Sequence, residues 1–238
     1  MECRRPSPET IDGDGTNTHI YVVDSGIHYG HEDFTGRTGD GIDLIGDPQI
    51  VGVDCFGHGT HVAGIAAGTT YGIATNATLH SIRIFGCVGF TPDSLIITAL
   101  EWIAENAMRP AILSMSFGTR FSQAMYDTAE SLVKEGFVLS VSAGNDNLDA
   151  CEKTPAAAPS VITVAASDIE DVRAWWSNIG RCIDIIAPGV DTVSTINADN
   201  GTSISSGTSF SSPIVTGKLN LVALEPVMFL LLSAYVHL

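Results

Sequence analysis

The chain has 238 residues, enough for one domain with a substantial core, and its 45% apolar and 16% charged residues with 24 glycines mark it as globular rather than disordered. Its 27 acidic residues against 11 basic give a formal net charge of -16. That charge repels phosphates and anionic lipid surfaces, which excludes nucleic acid and a membrane surface as partners.

The opening Met1-Glu2-Cys3-Arg4-Arg5-Pro6 has no apolar run after its basic residues and does not read as a secretory signal peptide. From there the chain alternates strand-like with helix-like segments. Runs 19–23, 79–85, 112–117, 137–143, 161–166 and 183–187 are rich in Val, Ile and Phe, several of them nearly continuous, as in strands covered on both faces. Thr91-Pro92-Asp93 reads as an N-cap followed by proline at the first helical position, with Leu95, Ala99, Trp102 and Ile103 on one face. Residues 122–135 carry Met125, Ala129, Leu132 and Val133 at similar spacing, and Gly136 stops them. The apolar stretch 219–238 is interrupted by Glu225 and Pro226, which leaves a segment too short to cross a bilayer as a helix. This alternation predicts an α/β layered fold with a mainly parallel sheet, in which ligands bind beyond the carboxyl ends of the strands.

The unusual residues fall at those ends. Asp24 closes the first strand before Ser25-Gly26 and suits a base-orienting carboxylate, a metal ligand or a turn cap. Gly57-His58-Gly59-Thr60-His61-Val62-Ala63-Gly64 sets a histidine between glycines, where backbone can approach the imidazole. Its two histidines lack the i, i+4 spacing and intervening Glu of helical zinc proteases. His28, His31, Glu32 and Asp33 read as a polar loop. Val141-Ser142-Ala143-Gly144-Asn145 ends a strand on an amide that suits an oxyanion donor or a left-handed turn. Gly207-Thr208-Ser209 precedes a helix, so Ser209 is a cap or a group placed where a helix N-terminus favours negative charge.

Asp, His and Ser in that chain order oppose the order of α/β-hydrolases, and Ser211 stands where a G-x-S-x-G elbow needs its second glycine. Both points exclude a lipid or ester hydrolase of that plan. The segments around Asp24, His58, Asn145 and Ser209, with Pro213, together resemble the subtilisin-like serine proteases (subtilases), most closely the proteinase K and aqualysin branch, from about residue 19 to residue 217.

The resemblance implies a three-layer subtilisin-like α/β fold with a mainly parallel central sheet flanked by helices. It implies a serine endopeptidase with Asp24, His58 and Ser209 as its triad and Asn145 in the oxyanion hole. Ser116, Phe117 and Gly118 would line one side of the primary specificity pocket, and Ser142, Ala143 and Gly144 the other. Gly89-Phe90-Thr91 aligns with a second substrate-binding strand that usually carries a small residue where Phe90 stands. Of the five cysteines, the likeness pairs Cys55 with Cys87 and Cys151 with Cys182, which implies an oxidising, secreted setting and leaves Cys3 over. Asp184 resembles the carboxylate of a calcium site with the carbonyls of Pro159 and Val161, or is an ordinary strand-end aspartate. No cofactor is implied for the chemistry. The expected partners are protein or peptide substrates and, in a full-length precursor, an inhibitory pro-segment, with the enzyme a monomer.

The likeness divides the chain into a divergent lead-in 1–18, a peptidase domain 19–217 and a divergent apolar tail 218–238, truncated at both ends relative to the family. Leu219 and Asn220 replace small residues of a buried helix, where an amide needs partners. The ends, not the site, favour the rival expectation of an inactive or incomplete fragment that binds peptides.

Overall fold

The computed structural model describes residues 13–46 and 49–222. Seven strands form the central sheet: β1 (His19–Asp24), β2 (Ile42–Asp43), β3 (Thr78–Arg83), β4 (Ala111–Met115), β6 (Val138–Ser142), β8 (Ile162–Ser167) and β9 (Ile185–Pro188), in the order β2-β3-β1-β4-β6-β8-β9. Every adjacent pair in it is parallel. Two antiparallel ribbons lie outside it, β5 (Thr119–Arg120) with β7 (Lys153–Thr154) and β10 (Thr192–Thr195) with β11 (Thr202–Ser205).

Four helices complete the layers: α1 (His58–Ala67), α2 (Asp93–Asn106), α3 (Gln123–Lys134) and α4 (Thr208–Val222). Strand side chains alternate between two cores, as the pleat requires. Tyr21 and Val23 of β1 join Ile96, Leu100 and Met125 of α2 and α3, while Ile20 and Val22 join Val62, Ala63 and Ala66 of α1. On the α1 side α4 packs against α1 and across the sheet, where Ser140 Oγ of β6 donates to the Ser212 carbonyl over 3.0 Å. The three-layer α/β architecture expected from the sequence is therefore the observed one.

Two local expectations shift. Helix α2 starts one residue later than expected: Pro92 is extended and occupies the N-cap position without a side-chain cap. Its buried face is Ile96, Ala99, Leu100 and Ile103, so Leu95 and Trp102 sit at the margin, half-buried. The sheet also contains β2, a two-residue edge strand too short to read from periodicity. Helix α3 follows its pattern, with Ser122 capping and Gly136, at φ +90°, after its end.

Lead-in and tail are described only from residue 13 and up to residue 222; the apolar run beyond Pro226 lies outside the described residues. Asn220, 1% exposed, accepts a hydrogen bond from the Thr18 hydroxyl, while its Nδ2 has no partner among the described residues.

Candidate active site

The strand order reverses around β1. The chain first builds β3 and β2 on one side of it, then β4, β6, β8 and β9 on the other. A crevice opens beyond the carboxyl ends at such a point. Asp24 ends β1 there, Ser116 follows β4, and Asn145 follows β6 after two intervening residues.

Asp24 is 1% exposed and meets His58, the first residue of α1. His58 Nδ1 lies 2.8 Å from Asp24 Oδ1 and 2.9 Å from Oδ2. A carboxylate can only accept, so Nδ1 carries the proton and Nε2 is left as the basic nitrogen. The approach depends on Gly59, where a Cβ would lie 2.1 Å from the Gly26 carbonyl oxygen and 3.0 Å from Asp24 Cβ. Burial works against protonating His58. The charge of Asp24, the hydrogen bond to it and the charge of Asp54 outweigh that and hold the pKa above the ordinary 6.5.

Ser209 lies in the first turn of α4, whose leading N–H groups have no intrahelical partners. Its hydroxyl donates to the Ser116 carbonyl over 3.0 Å, and Ser116 Oγ donates back to the Ser209 carbonyl over 2.9 Å. The hydroxyl is therefore not bonded to His58. The ring of the next residue, Phe210, packs 5.5 Å from the His58 ring and 4.6 Å from that of His61. Sequence reasoning placed Ser116 in a pocket wall and missed this exchange. No local pattern signals a bond between residues 93 apart.

Asn145 is exposed, and its Oδ1 accepts from the Thr208 N–H and hydroxyl, both at 2.9 Å. A backbone N–H can bond only the oxygen, so the amide orientation is fixed, with Nδ2 free of protein partners among the described residues. Gly144, at φ +103°, turns the chain after β6, and a Cβ there would lie 2.5 Å from Asn178 Nδ2. Ser142 and Ala143 are buried beside it, and Ser116, Phe117 and Gly118 run from buried to exposed along the chain leaving β4. Phe117 is braced edge-on by Phe85, 5.6 Å between ring centres.

The cysteines pair as the resemblance implied, Cys55 with Cys87 and Cys151 with Cys182. The former closes a loop that begins three residues before His58 and contains it. Asp184 and Pro159 line one cavity of about 390 Å³ with Tyr126, Ala157, Ala158, Arg181 and Cys182, whereas Val161, 3% exposed, is not on that wall. Burial raises the Asp184 pKa, and the Thr163 N–H, 2.8 Å from Oδ2, pulls it back. Among the described residues no three His, Cys, Asp or Glu side chains gather as a metal cluster. In the polar loop, His28 pairs with Asp199 at 2.9 Å and His31 caps a short 3₁₀ turn, Glu32–Phe34.

Comparison with known proteins gives a consistent result. The model of the Subtilase family matches residues 15–225. An extracellular serine proteinase of Thermus sp. (strain Rt41A) is 44% identical over 209 residues, covering 87% of this chain and 51% of that protein. Subtilisin-like protease 7 of Arthroderma benhamiae is 38% identical over 221 residues, 90% of this chain and 54% of its own. The crystal structure of a cold adapted subtilisin-like serine proteinase superposes with a TM-score of 0.87 at 37% identity, covering 90% of this chain and 78% of that one. The chain spans about half the length of the curated relatives it matches.

Proposed function

The chain belongs to the subtilase family, and on that premise we infer that it is the catalytic domain of a serine endopeptidase that cleaves peptide bonds in proteins through Asp24, His58 and Ser209. The observation that carries this is the His58–Asp24 bond, 2.8 Å long, which leaves Nε2 basic at the mouth of the crevice that Ser209 also borders.

In the reaction, the Ser209 hydroxyl leaves the Ser116 carbonyl and donates to His58 Nε2 instead. Nucleophile–base bonds often close only when substrate is in place. Ser209 Oγ then attacks the scissile carbonyl carbon as its proton passes to Nε2. Asp24 holds the imidazolium, and the Asn145 Nδ2–H and Ser209 N–H bond the oxyanion. Collapse to the acyl-enzyme delivers that proton to the leaving amine, and water repeats the sequence to release the acid. The mostly small residues at 116–118 and 142–144, where β4 and β6 end, support a broad, apolar-tolerant primary pocket between them.

The chemistry requires no cofactor. Asp184 Oδ1, with carbonyl oxygens of its neighbourhood such as that of Pro159, suits a hard, oxygen-seeking cation. These residues would hold a calcium ion that supplies stability and takes no part in the reaction. The two disulfides and the extracellular relatives support a secreted protein. We extend the same reading to a peptidase domain over residues 19–217, to monomeric action on protein and peptide substrates, and to an inhibitory pro-segment in the precursor.

The test is Ser209→Ala. Peptide hydrolysis should fall by about 10⁶ in kcat, the magnitude known for removal of the nucleophile in subtilisin itself, a relative. Hydrolysis at the unaltered rate would remove Ser209 from the reaction.

A further inference from the structure

We propose that Asp54 is a positioning residue that fixes the His58 end of α1 against the Asp24 end of β1. The proposal rests on the endopeptidase reading above for its link to activity, but not for its geometry.

Helix α1 has no cap of its own: Gly57 occupies the N-cap with φ +91° and no side chain to offer. The leading N–H groups of a helix still need acceptors. Asp54 and Ser25 supply them from outside the helix. Asp54 Oδ2 accepts from the Thr60 N–H at 2.9 Å and the Thr60 hydroxyl at 2.6 Å. Its Oδ1 accepts from the N–H groups of Phe56 at 3.0 Å and Gly57 at 2.7 Å, which shapes the turn into His58. The same Oδ1 accepts from the Ser25 hydroxyl at 2.9 Å, and Ser25 Oγ in turn accepts from the Gly59 N–H at 2.9 Å. Ser25 is also bound to the triad carboxylate, its N–H donating to Asp24 Oδ1 at 2.7 Å.

One carboxylate, 6% exposed, therefore joins three pieces: the strand end with Asp24, the turn before His58, and the first turn of the helix His58 begins. Five donors converge on its two oxygens, an arrangement that suits a carboxylate at the positive end of the helix dipole. Ser25 reaches the strand end and the Gly59 N–H but not the turn, which only Asp54 holds through the Phe56 and Gly57 N–H groups. The charged groups acting on His58 are Asp24 and Asp54, and His61 lies close enough to feel the His58 charge. Burial pushes the His61 pKa down to about 4, so His61 is neutral at working pH and the two carboxylates set the field.

Three measurements on Asp54→Asn and Ser25→Ala test this: thermal unfolding, kcat and KM across pH, and NMR titration of the His58 ring. An Asn side chain cannot accept at both oxygens, so Asp54→Asn loses one flank of the junction together with the charge. Its kcat should fall at least about tenfold with KM little changed, as expected of a small misplacement of the base. The acid limb of kcat/KM should also move to lower pH by about half a unit, because a charge that stabilised the imidazolium is gone. Ser25→Ala keeps the charge and should lower kcat without moving that limb. It decides the matter if Asp54→Asn does not fold. A folded Asp54→Asn with unaltered kcat and unaltered His58 titration would overturn the proposal, as would an unchanged kcat in Ser25→Ala. If no variant, and not the unaltered chain, hydrolyses peptides, the endopeptidase reading fails separately, while the His58 titration still reports whether Asp54 governs that ring.

Discussion

His61 and His80 are 2% and 1% exposed, and burial lowers the pKa of each from 6.5 to about 4. His80 bonds His19 at 2.9 Å and the Asp40 carbonyl at 2.7 Å, and stacks on Tyr21 at 4.2 Å. Between pH 6.5 and about 4 the unfolded chain binds protons at these residues and the folded chain does not, so stability present above that window is lost as pH falls through it. Denaturant unfolding at several pH values should show this slope, reduced in His80→Gln. A flat profile from pH 7 to 4 would show that both histidines titrate normally in the fold. The candidate site residues that sequence made legible, Asp24, His58, Asn145 and Ser209, sit in short glycine-rich runs at strand or helix ends. Asp54, Ser25 and the Ser209–Ser116 exchange were not legible. These contacts are hydrogen bonds between residues distant in the chain that the fold brings together, and no local pattern signals them.

At the scale of elements, hydrophobic runs located the six longer strands of the sheet to within a residue or two, because strands buried on both faces are nearly continuous in apolar side chains. The phase of α2 was less legible: Leu95 and Trp102 compete with Ile96 and Leu100 for the buried face, and the fold buries the second pair. The disulfides tie irregular segments to these elements. Cys55–Cys87 joins the segment carrying Asp54 to the loop after β3, and Cys151–Cys182 joins a 3₁₀ turn, Ala150–Glu152, to the chain entering β9. Each closes a loop of about 30 residues, for which chain entropy gives roughly 3–4 kcal/mol. Replacing either pair by serine should lower the unfolding free energy by about that amount, with the Cys55–Cys87 variant also losing kcat. Unchanged unfolding midpoints in both variants would show that the bridges constrain nothing the fold does not already hold.

At the scale of the molecule, the parallel sheet with its reversal around β1 gathers at one edge residues that lie as far apart in the chain as Asp24 and Ser209. The net charge of -16 bears on solubility rather than on that geometry. The central claim is that this edge is a working nucleophilic site. A serine-reactive fluorophosphonate, applied to the folded, disulfide-intact chain and followed by mass spectrometry of its peptides, tests it most directly. The expected result is a single adduct on Ser209, absent after Ser209→Ala and slowed in Asp54→Asn. No adduct on the folded chain, or an adduct at another residue that persists in Ser209→Ala, would contradict it.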